Sequence, residues 1–405
     1  MRSQNQNTAS MRPVRVARAR LSCALRHLLA LAAAALCAAP AAQAVEIEAG
    51  DWTIDVGGFI NAYYTATDCG NEMVGGLALA GRALGCGGED KRTTIGNGLL
   101  PNALVTKFRT SQGGYDIGGT IAIMAHTATS SSIDANSGVD VRQAFFTIGD
   151  DRIGTFKLGR DYGIFGANAI LTDMTLLGVG MPIQATQRGR VTLGHIGSGY
   201  SWLGNYGQMT WTSAPAGGFV FSGGLMSPVD NGADYVSKSE PQLQAQLAWS
   251  NEGFKVWAGA KTQRFHPAED ADPALEPFTM TGAEIGASFT AGRFAALANV
   301  QSGKGLGILS DGDQEDTKST NWLAQGTFAA TDKLKLGLNY GVSRNRDEEP
   351  ATGGLKQNSN ATAGAYYALT SSVTFAFELS QTRSKGFDGE TVKMNGASFG
   401  GIVFF

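Results

Sequence analysis

Side chains able to do covalent or metal chemistry are few and scattered. Beyond residue 44 the chain has three histidines, His126, His195 and His266. His126 ends an alternating apolar segment, His195 lies in TLGHIGSGY, and His266 stands beside Pro267 in a polar stretch. They are too far apart for a metal cluster by spacing, and H-E-x-x-H does not occur. Ser–His nucleophilic catalysis needs a base held against its nucleophile, and no such pairing is visible. The glycines of GGLALAGRALG lack the order of a phosphate-binding loop. The expectation is a protein that is not an enzyme and carries no metal and no cofactor. Cys69 and Cys86 share one Gly-rich stretch, where they could form a local disulfide or stand as two free thiols. What remains is fixed charge on alternating segments, so the elements that carry it decide its use.

The N-terminus indicates a compartment. Residues 1–44 hold six arginines and no acid, then the apolar run LLALAAAALCAAP, then AQA at 42–44. A basic region, a short apolar core and an A-x-A site make a secretory signal peptide, with cleavage expected after Ala44. The run is short for a membrane span of about 20 residues. An exported chain favours the disulfide between Cys69 and Cys86. Sixteen residues lie between the two cysteines, and closing a loop of that size is worth about 3 kcal/mol in the chain-entropy picture. Removing the leader leaves 26 basic against 35 acidic residues, a net charge near −9. That balance excludes a general nucleic-acid binder, which shows a basic excess.

All 55 glycines follow residue 44, and Gly, Thr, Asn, Tyr and short apolar alternations run on without a linker. One large β-domain over 45–405 is expected. The chain reads as 16 segments of period-2 alternation, from WTIDVGGFINAYYT to TVKMNGASFGGIVFF. Their connections alternate between tight turns (SQGG, DD, NEG, AG) and long polar stretches such as RNRDEEPATGGLKQNS. A barrel threaded through a membrane sorts its loops in this way, short turns at one rim and long loops at the other. Within lipid every backbone polar group must pair inside the protein, so only helices or closed sheets span. No stretch after residue 44 has about 18 uninterrupted apolar residues. The fold expected is all-β, a 16-stranded antiparallel transmembrane β-barrel. Val373, Phe375, Phe377 and Leu379 share one face, as do Leu334, Leu336 and Leu338 opposite Lys333, Lys335 and Asn339. Tyr63, Tyr64, Tyr366 and Tyr367 suit an interfacial aromatic girdle.

The terminal strand places Phe399, Val403 and Phe405 on one face. It resembles the C-terminal assembly signal of Gram-negative outer-membrane proteins, which the barrel-insertion machinery reads. KLGRDYG after the fifth strand and VRQAFF in the fourth resemble the general diffusion porins, the trimeric 16-stranded outer-membrane family. The resemblance extends over 45–405. It implies passive diffusion of small hydrophilic solutes and ions through a water-filled channel in the outer membrane of a Gram-negative bacterium. It further implies a homotrimer among lipids and lipopolysaccharide, and a third long loop folded into the lumen to narrow it. That loop corresponds here to 161–190, whose ANAILTDMTLL has a helical pattern.

In this family the constriction sets basic wall residues against acidic residues of the loop, and charge facing charge in a narrow aqueous gap biases what passes. Strand parity with Leu104 and Phe108 outside turns Lys107 and Arg109 inward. With Val141 and Phe145 outside, Arg142 points inward, at a position matching a constriction arginine of the family. Arg188 and Arg190 lie where the loop returns to the wall. The acids are Asp173 within the loop and Asp161 at its start, fewer than the family pattern, and Phe59 stands where many relatives have Lys. The excess of basic groups implies weak anion preference or near neutrality. Arg160 shares the outward parity of Phe156 and Leu158. It could meet Asp134 of a neighbouring barrel's second loop. The acidic cluster SDGDQEDTKS could hold a divalent cation or face lipopolysaccharide, against the plainer reading of a solvated loop. A substrate-specific channel on the same barrel is the alternative function.

Overall fold

The computed structural model describes residues 44–405, apart from 71–72, 80–81, 87–88, 127–137, 183–191, 231–233, 308–310, 313–314 and 347–353. The expected leader through residue 43, with Asp134, Arg188 and Arg190, therefore lies outside the described residues. Sixteen strands form the wall. The first five are β1 (Trp52–Asp68), β2 (Asn102–Gln112), β3 (Tyr115–His126), β4 (Gly138–Asp150) and β5 (Gly154–Tyr162). Next come β6 (Asn205–Thr212), β7 (Phe219–Met226), β8 (Gln242–Asn251), β9 (Phe254–Pro267), β10 (Phe278–Ala291) and β11 (Phe294–Lys304). Last are β12 (Lys318–Ala329), β13 (Leu334–Arg346), β14 (Leu355–Ala368), β15 (Val373–Gly386) and β16 (Thr391–Phe404). Each pairs antiparallel with the next, and β16 closes on β1 from Phe59↔Phe404 to Asp68↔Asn395. Beyond the ladder, Phe405 exchanges two backbone hydrogen bonds with Gly58, at 2.8 and 3.0 Å.

Closure makes both sides of every strand interior to the hydrogen-bond network, and the pleat then sorts side chains by parity. The outer face is apolar and exposed: Ile285 is 64% accessible and Leu338 62%, with Phe375, Phe377 and Leu379 alongside. The inner face is polar and covered: Gln244, Gln301, Asn339, Asn360 and Thr382 are all buried. This is the pattern of a wall between lipid and a polar interior. Aromatic pairs mark the short-turn rim on the outside, including Phe294–Phe328 at 4.7 Å and Phe375–Phe399 at 6.1 Å between ring centroids.

Parity also corrects the girdle expectation. Tyr64 and Tyr367 are exposed on the outer face, but Tyr63 and Tyr366 are buried inside. Adjacent residues of one strand cannot share a face, so each Tyr-Tyr pair is split across the wall. A second correction concerns β4. Against β3 the register runs Ala122↔Gln143 and then Ile123↔Val141, so Arg142 is an inserted bulge residue. Parity inverts across it: Val141 and Phe146 are exposed, whereas Phe145 turns inward beneath the Lys157 ammonium at 5.4 Å.

The wall has local repairs at β1. Its first part pairs with β2 and its last part with a strand at Lys91–Gly96, with 97–101 interrupting the two. Asn61 occupies the break: its Oδ1 accepts from Gly98 N at 2.8 Å, and its Nδ2 donates to the carbonyls of Leu100 and Pro101 at 3.1 and 3.3 Å. A short strand, Val45–Ala49, covers the lower edge of β1. Cys69 and Cys86 are joined in a disulfide, Cα atoms 5.8 Å apart, in the first long connection. Asn61→Leu should leave the Pro101 carbonyl and the Gly98 N–H without these partners, each costing about 1–3 kcal/mol, while the Leu100 carbonyl keeps the Asn97 amide at 3.2 Å. The urea midpoint of the detergent-folded barrel, followed by the heat-modifiable gel shift, is expected to fall accordingly.

Candidate functional site: the lumen and its inserted segment

The connection between β5 and β6 spans 163–204: against the 161–190 read from sequence, Asp161 and Tyr162 belong to β5, and the connection continues past 190 to the start of β6 at Asn205. Its described residues, 163–182 and 192–204, lie inside the barrel. A segment buried there needs partners for backbone groups that no sheet supplies. Long polar side chains of the wall provide them. Gln244 of β8 accepts from Ile164 N and Phe165 N at 2.7 and 2.9 Å. Glu284 of β10 accepts from Gly166 N at 3.0 Å, and also from the amides of Gln246 and Gln301. Gln325 of β12 accepts from Met174 N at 2.7 Å and donates to the Thr172 carbonyl at 2.9 Å. Gln301 of β11 accepts from Ser201 N at 2.8 Å.

Glu378 of β15 is 1% exposed and holds the middle of the segment. It accepts from Val179 N at 2.8 Å, Gly180 N at 2.7 Å and the Tyr366 hydroxyl at 2.6 Å. The approach is possible because Gly178 has no side chain: a Cβ there would stand 2.0 Å from a Glu378 carboxylate oxygen. The Tyr63 hydroxyl donates to the Leu177 carbonyl at 2.6 Å. The segment thus runs along the wall from β8 to β15 and reaches β1.

Its own structure is short. A helix α1 (Ala167–Thr172) starts at Gly166, which has φ 83°, and a 3₁₀ turn follows over Met174–Leu177. Asp173 breaks the two apart. Its carboxylate accepts from Thr175 N at 2.9 Å, from the Tyr200 hydroxyl at 2.7 Å and from Asn339 at 3.2 Å. With 3% exposure, Asp173 holds the segment together from within.

The other charges named from sequence fall into two groups. Near the short-turn rim, Lys107 stands opposite Asp55 on the inner face, and Arg109 is ion-paired with Asp55 and with Glu46, the latter at 2.7 Å. On β4 and β5, Arg142 pairs with Asp140 at 2.8 Å and lies 5.8 Å over the Trp202 ring. Asp161 accepts from Lys157 at 2.6 Å and Gln143 at 2.9 Å. Arg160 is exposed on the outer face, where its Nε donates to the Val141 carbonyl at 3.0 Å. Phe399, Val403 and Phe405 form one outward stripe. Phe59 faces inward and packs beside Phe404, ring centroids 5.9 Å apart.

Several lumen residues escaped sequence reading. Glu284 and Glu378 are the segment's acidic anchors. Lys261 of β9 forms a fully buried ion pair with Asp311, which also accepts from Tyr206 at 2.7 Å and Gln242 at 2.8 Å. Asp311 belongs to the acidic cluster SDGDQEDTKS, so one carboxylate of that cluster is turned into the barrel mouth. Lys255 donates to Asn168 of α1 at 2.6 Å, and the Lys335 ammonium lies 5.3 Å from the Tyr366 ring, both on the short-turn side of the inserted segment.

Comparison with known proteins agrees with this geometry. A family profile described as Gram-negative porin matches residues 30–386. The outer-membrane channel DcaP of Acinetobacter baumannii superposes with a TM-score of 0.65 at 16% identity, over 88% of this chain and 99% of that one. An anion-selective porin from Comamonas acidovorans gives 0.61 at 14% identity, over 87% and 100%. In-vitro folded OmpT of Vibrio cholerae, in a trimer form, gives 0.56 at 14%, over 87% and 99%. No curated protein matches by sequence. Glu378→Ala should strand three buried donors, each at about 1–3 kcal/mol. The barrel is expected to fold, with a lowered urea midpoint and a noisier single-channel current as the segment leaves the wall.

Proposed function

The chain belongs to the Gram-negative porin family and forms an outer-membrane β-barrel channel with no enzymatic step, and on that premise we propose that it passes small hydrophilic solutes and ions by passive diffusion, with weak anion preference. The observation that carries the preference is an asymmetry in how lumen charge is used. Glu284, Glu378 and Asp173 are buried and occupied by hydrogen-bond donors of the inserted segment and the wall around it. Lys107, Lys255 and Lys335 stay half-buried on the inner face toward the short-turn mouth. A cation-lined, low-dielectric mouth concentrates anions over cations. Arg142 and the Lys157–Asp161 pair on β4 and β5, with Arg188 and Arg190, complete the charged waist in this reading.

Three further assignments belong to the same proposal. Residues 1–44 act as a cleaved export signal. The outward stripe of Phe399, Val403 and Phe405 is the feature read by the barrel-assembly machinery. The barrel associates as a homotrimer among outer-membrane lipids and lipopolysaccharide, with Arg160 meeting Asp134 of the partner subunit. The exposed outward position of Arg160 supports that contact.

Planar-bilayer recording in a KCl gradient tests the channel directly. Stepwise closure in three equal levels and a reversal potential of anion-selective sign are expected. Lys255→Glu with Lys335→Glu should move the reversal potential toward cations, and strong cation preference of the wild type would remove the proposal. For the subunit contact, Arg160→Ala is expected to lower the heat resistance of the trimer band on gels. An unchanged band would rule that contact out.

A further inference from the structure

Glu284 and Glu378 sit on wall strands and hold backbone N–H groups of the inserted segment. At the long-loop mouth one contact is built the other way round. Asp311 belongs to the connection between β11 and β12, and the donors that hold it belong to the wall. Its Oδ1 accepts from the Lys261 ammonium of β9. Its Oδ2 accepts from the Tyr206 hydroxyl of β6 at 2.7 Å and from Gln242 Nε2 of β8 at 2.8 Å. Among the described residues, Asp311 is the one ion-pair partner of Lys261. All four side chains are at most 3% exposed.

The three donors are braced without help from the connection that carries Asp311. The Tyr206 hydroxyl reaches its place because Gly204 has no side chain: a Cβ there would stand 2.2 Å from it. Gln242 Oε1 accepts from the amide of Gln244, whose own Oε1 takes the N–H groups of Ile164 and Phe165. The Lys261 ammonium lies 4.9 Å from the centroid of the Phe165 ring. Phe165 and Phe265 are fully buried beside it, in one apolar cluster with Phe278 and Met280. In such a low-dielectric setting, hydrogen bonds from a cation to a carboxylate are strong.

A buried ion pair is a poor staple, since apolar residues of the same volume hold a structure as well or better. The arrangement instead has the form of a receptor with its ligand in place: one cation and two neutral donors converge on one carboxylate. The side chain of aspartate is an acetate group tethered through its methyl carbon. We propose that Lys261, Tyr206 and Gln242 form a binding site for small monocarboxylate solutes at the outer mouth, with Asp311 as a tethered occupant that such a solute displaces. The proposal rests on the channel reading and adds a site and a ligand chemistry to it. A tethered competitor acts at an effective concentration on the order of millimolar, so free carboxylate exchanges with it at millimolar levels. After exchange Lys261 is still neutralised, while the freed Asp311 presents a negative charge to ions entering the mouth.

The test uses the full mature protein folded in non-ionic detergent. Acetate is the probe, acetamide its uncharged analogue, and chloride at equal ionic strength the control. Asp311→Gly deletes the acetate-like group. Its thermal midpoint is expected to fall and to be restored saturably by acetate, with an apparent affinity about tenfold or more tighter than that of the wild type, which must first expel its own carboxylate. Adding Lys261→Met should abolish the response. Asp311→Asn keeps the shape of the occupant and is expected to fold without acetate, so it serves where the glycine variant does not fold. In bilayers under a KCl gradient, millimolar acetate on the long-loop side should move the reversal potential of the wild type toward cations. Asp311→Asn should show no such shift, because its freed side chain carries no charge. The proposal is overturned if acetate fails to restore Asp311→Gly, or if chloride or acetamide restores it equally well. Equal acetate shifts in the wild type and Asp311→Asn would overturn it too. Conductance in KCl without acetate tests the channel itself, so the two failures are told apart.

Discussion

Everything in this structure follows from the cost of an unpaired backbone N–H or C=O away from water. In the wall, the constraint is met by closure: β16 returns to β1, and Phe405 exchanges hydrogen bonds with Gly58 where the ladder ends. At the break in the second strand position, the side chain of Asn61 takes the role that a neighbouring strand would have had. In the lumen the same demand recurs for the segment 163–204, whose described residues hold α1, one 3₁₀ turn and a short pairing of Met181–Pro182 with Thr192–Gly194. There the wall answers with carboxylates and carboxamides.

That answer shapes the electrostatics of the channel. Glu284 and Glu378 are committed to backbone and wall donors of the inserted segment, so their charge is spent locally rather than presented to solutes. Asp173 is likewise committed, to Thr175, Tyr200 and Asn339. Lysines on the same inner face have fewer such obligations. The weak anion preference proposed for the lumen is compatible with a chain that is acidic overall beyond residue 44. A net charge for the whole molecule says little about the charge a permeating ion meets.

Much of the architecture was legible in sequence because its signal is local. Period-2 alternation and the sorting of short and long connections located sixteen strands, and parity placed Lys107 inward and Arg160 outward. The misreadings have equally local causes. The split Tyr63–Tyr64 and Tyr366–Tyr367 pairs follow from the pleat itself and could have been read from parity. The bulge at Arg142 could not, since nothing in VRQAFF marks an extra residue and everything beyond it changes face. Parity also puts Glu378 inside, between Phe377 and Leu379. What it cannot give is the partner: Glu378 meets Val179 across a separation of 199 residues, and Lys261 meets Asp311 across 50. A single sequence carries no trace of such pairings.

The long separation between Glu378 and its partners orders events in time. The inserted segment leaves β5, yet its acidic anchor is in β15, the strand before last of the wall. During synthesis and export, Val179 and Gly180 exist long before the carboxylate that will receive their N–H groups. Until β15 takes its place, the segment lacks the Glu378 part of a seating that Gln244, Glu284, Gln301 and Gln325 otherwise supply. A partly inserted barrel therefore has walls before its inserted segment is fully seated, and that seating is completed only with the strand before last.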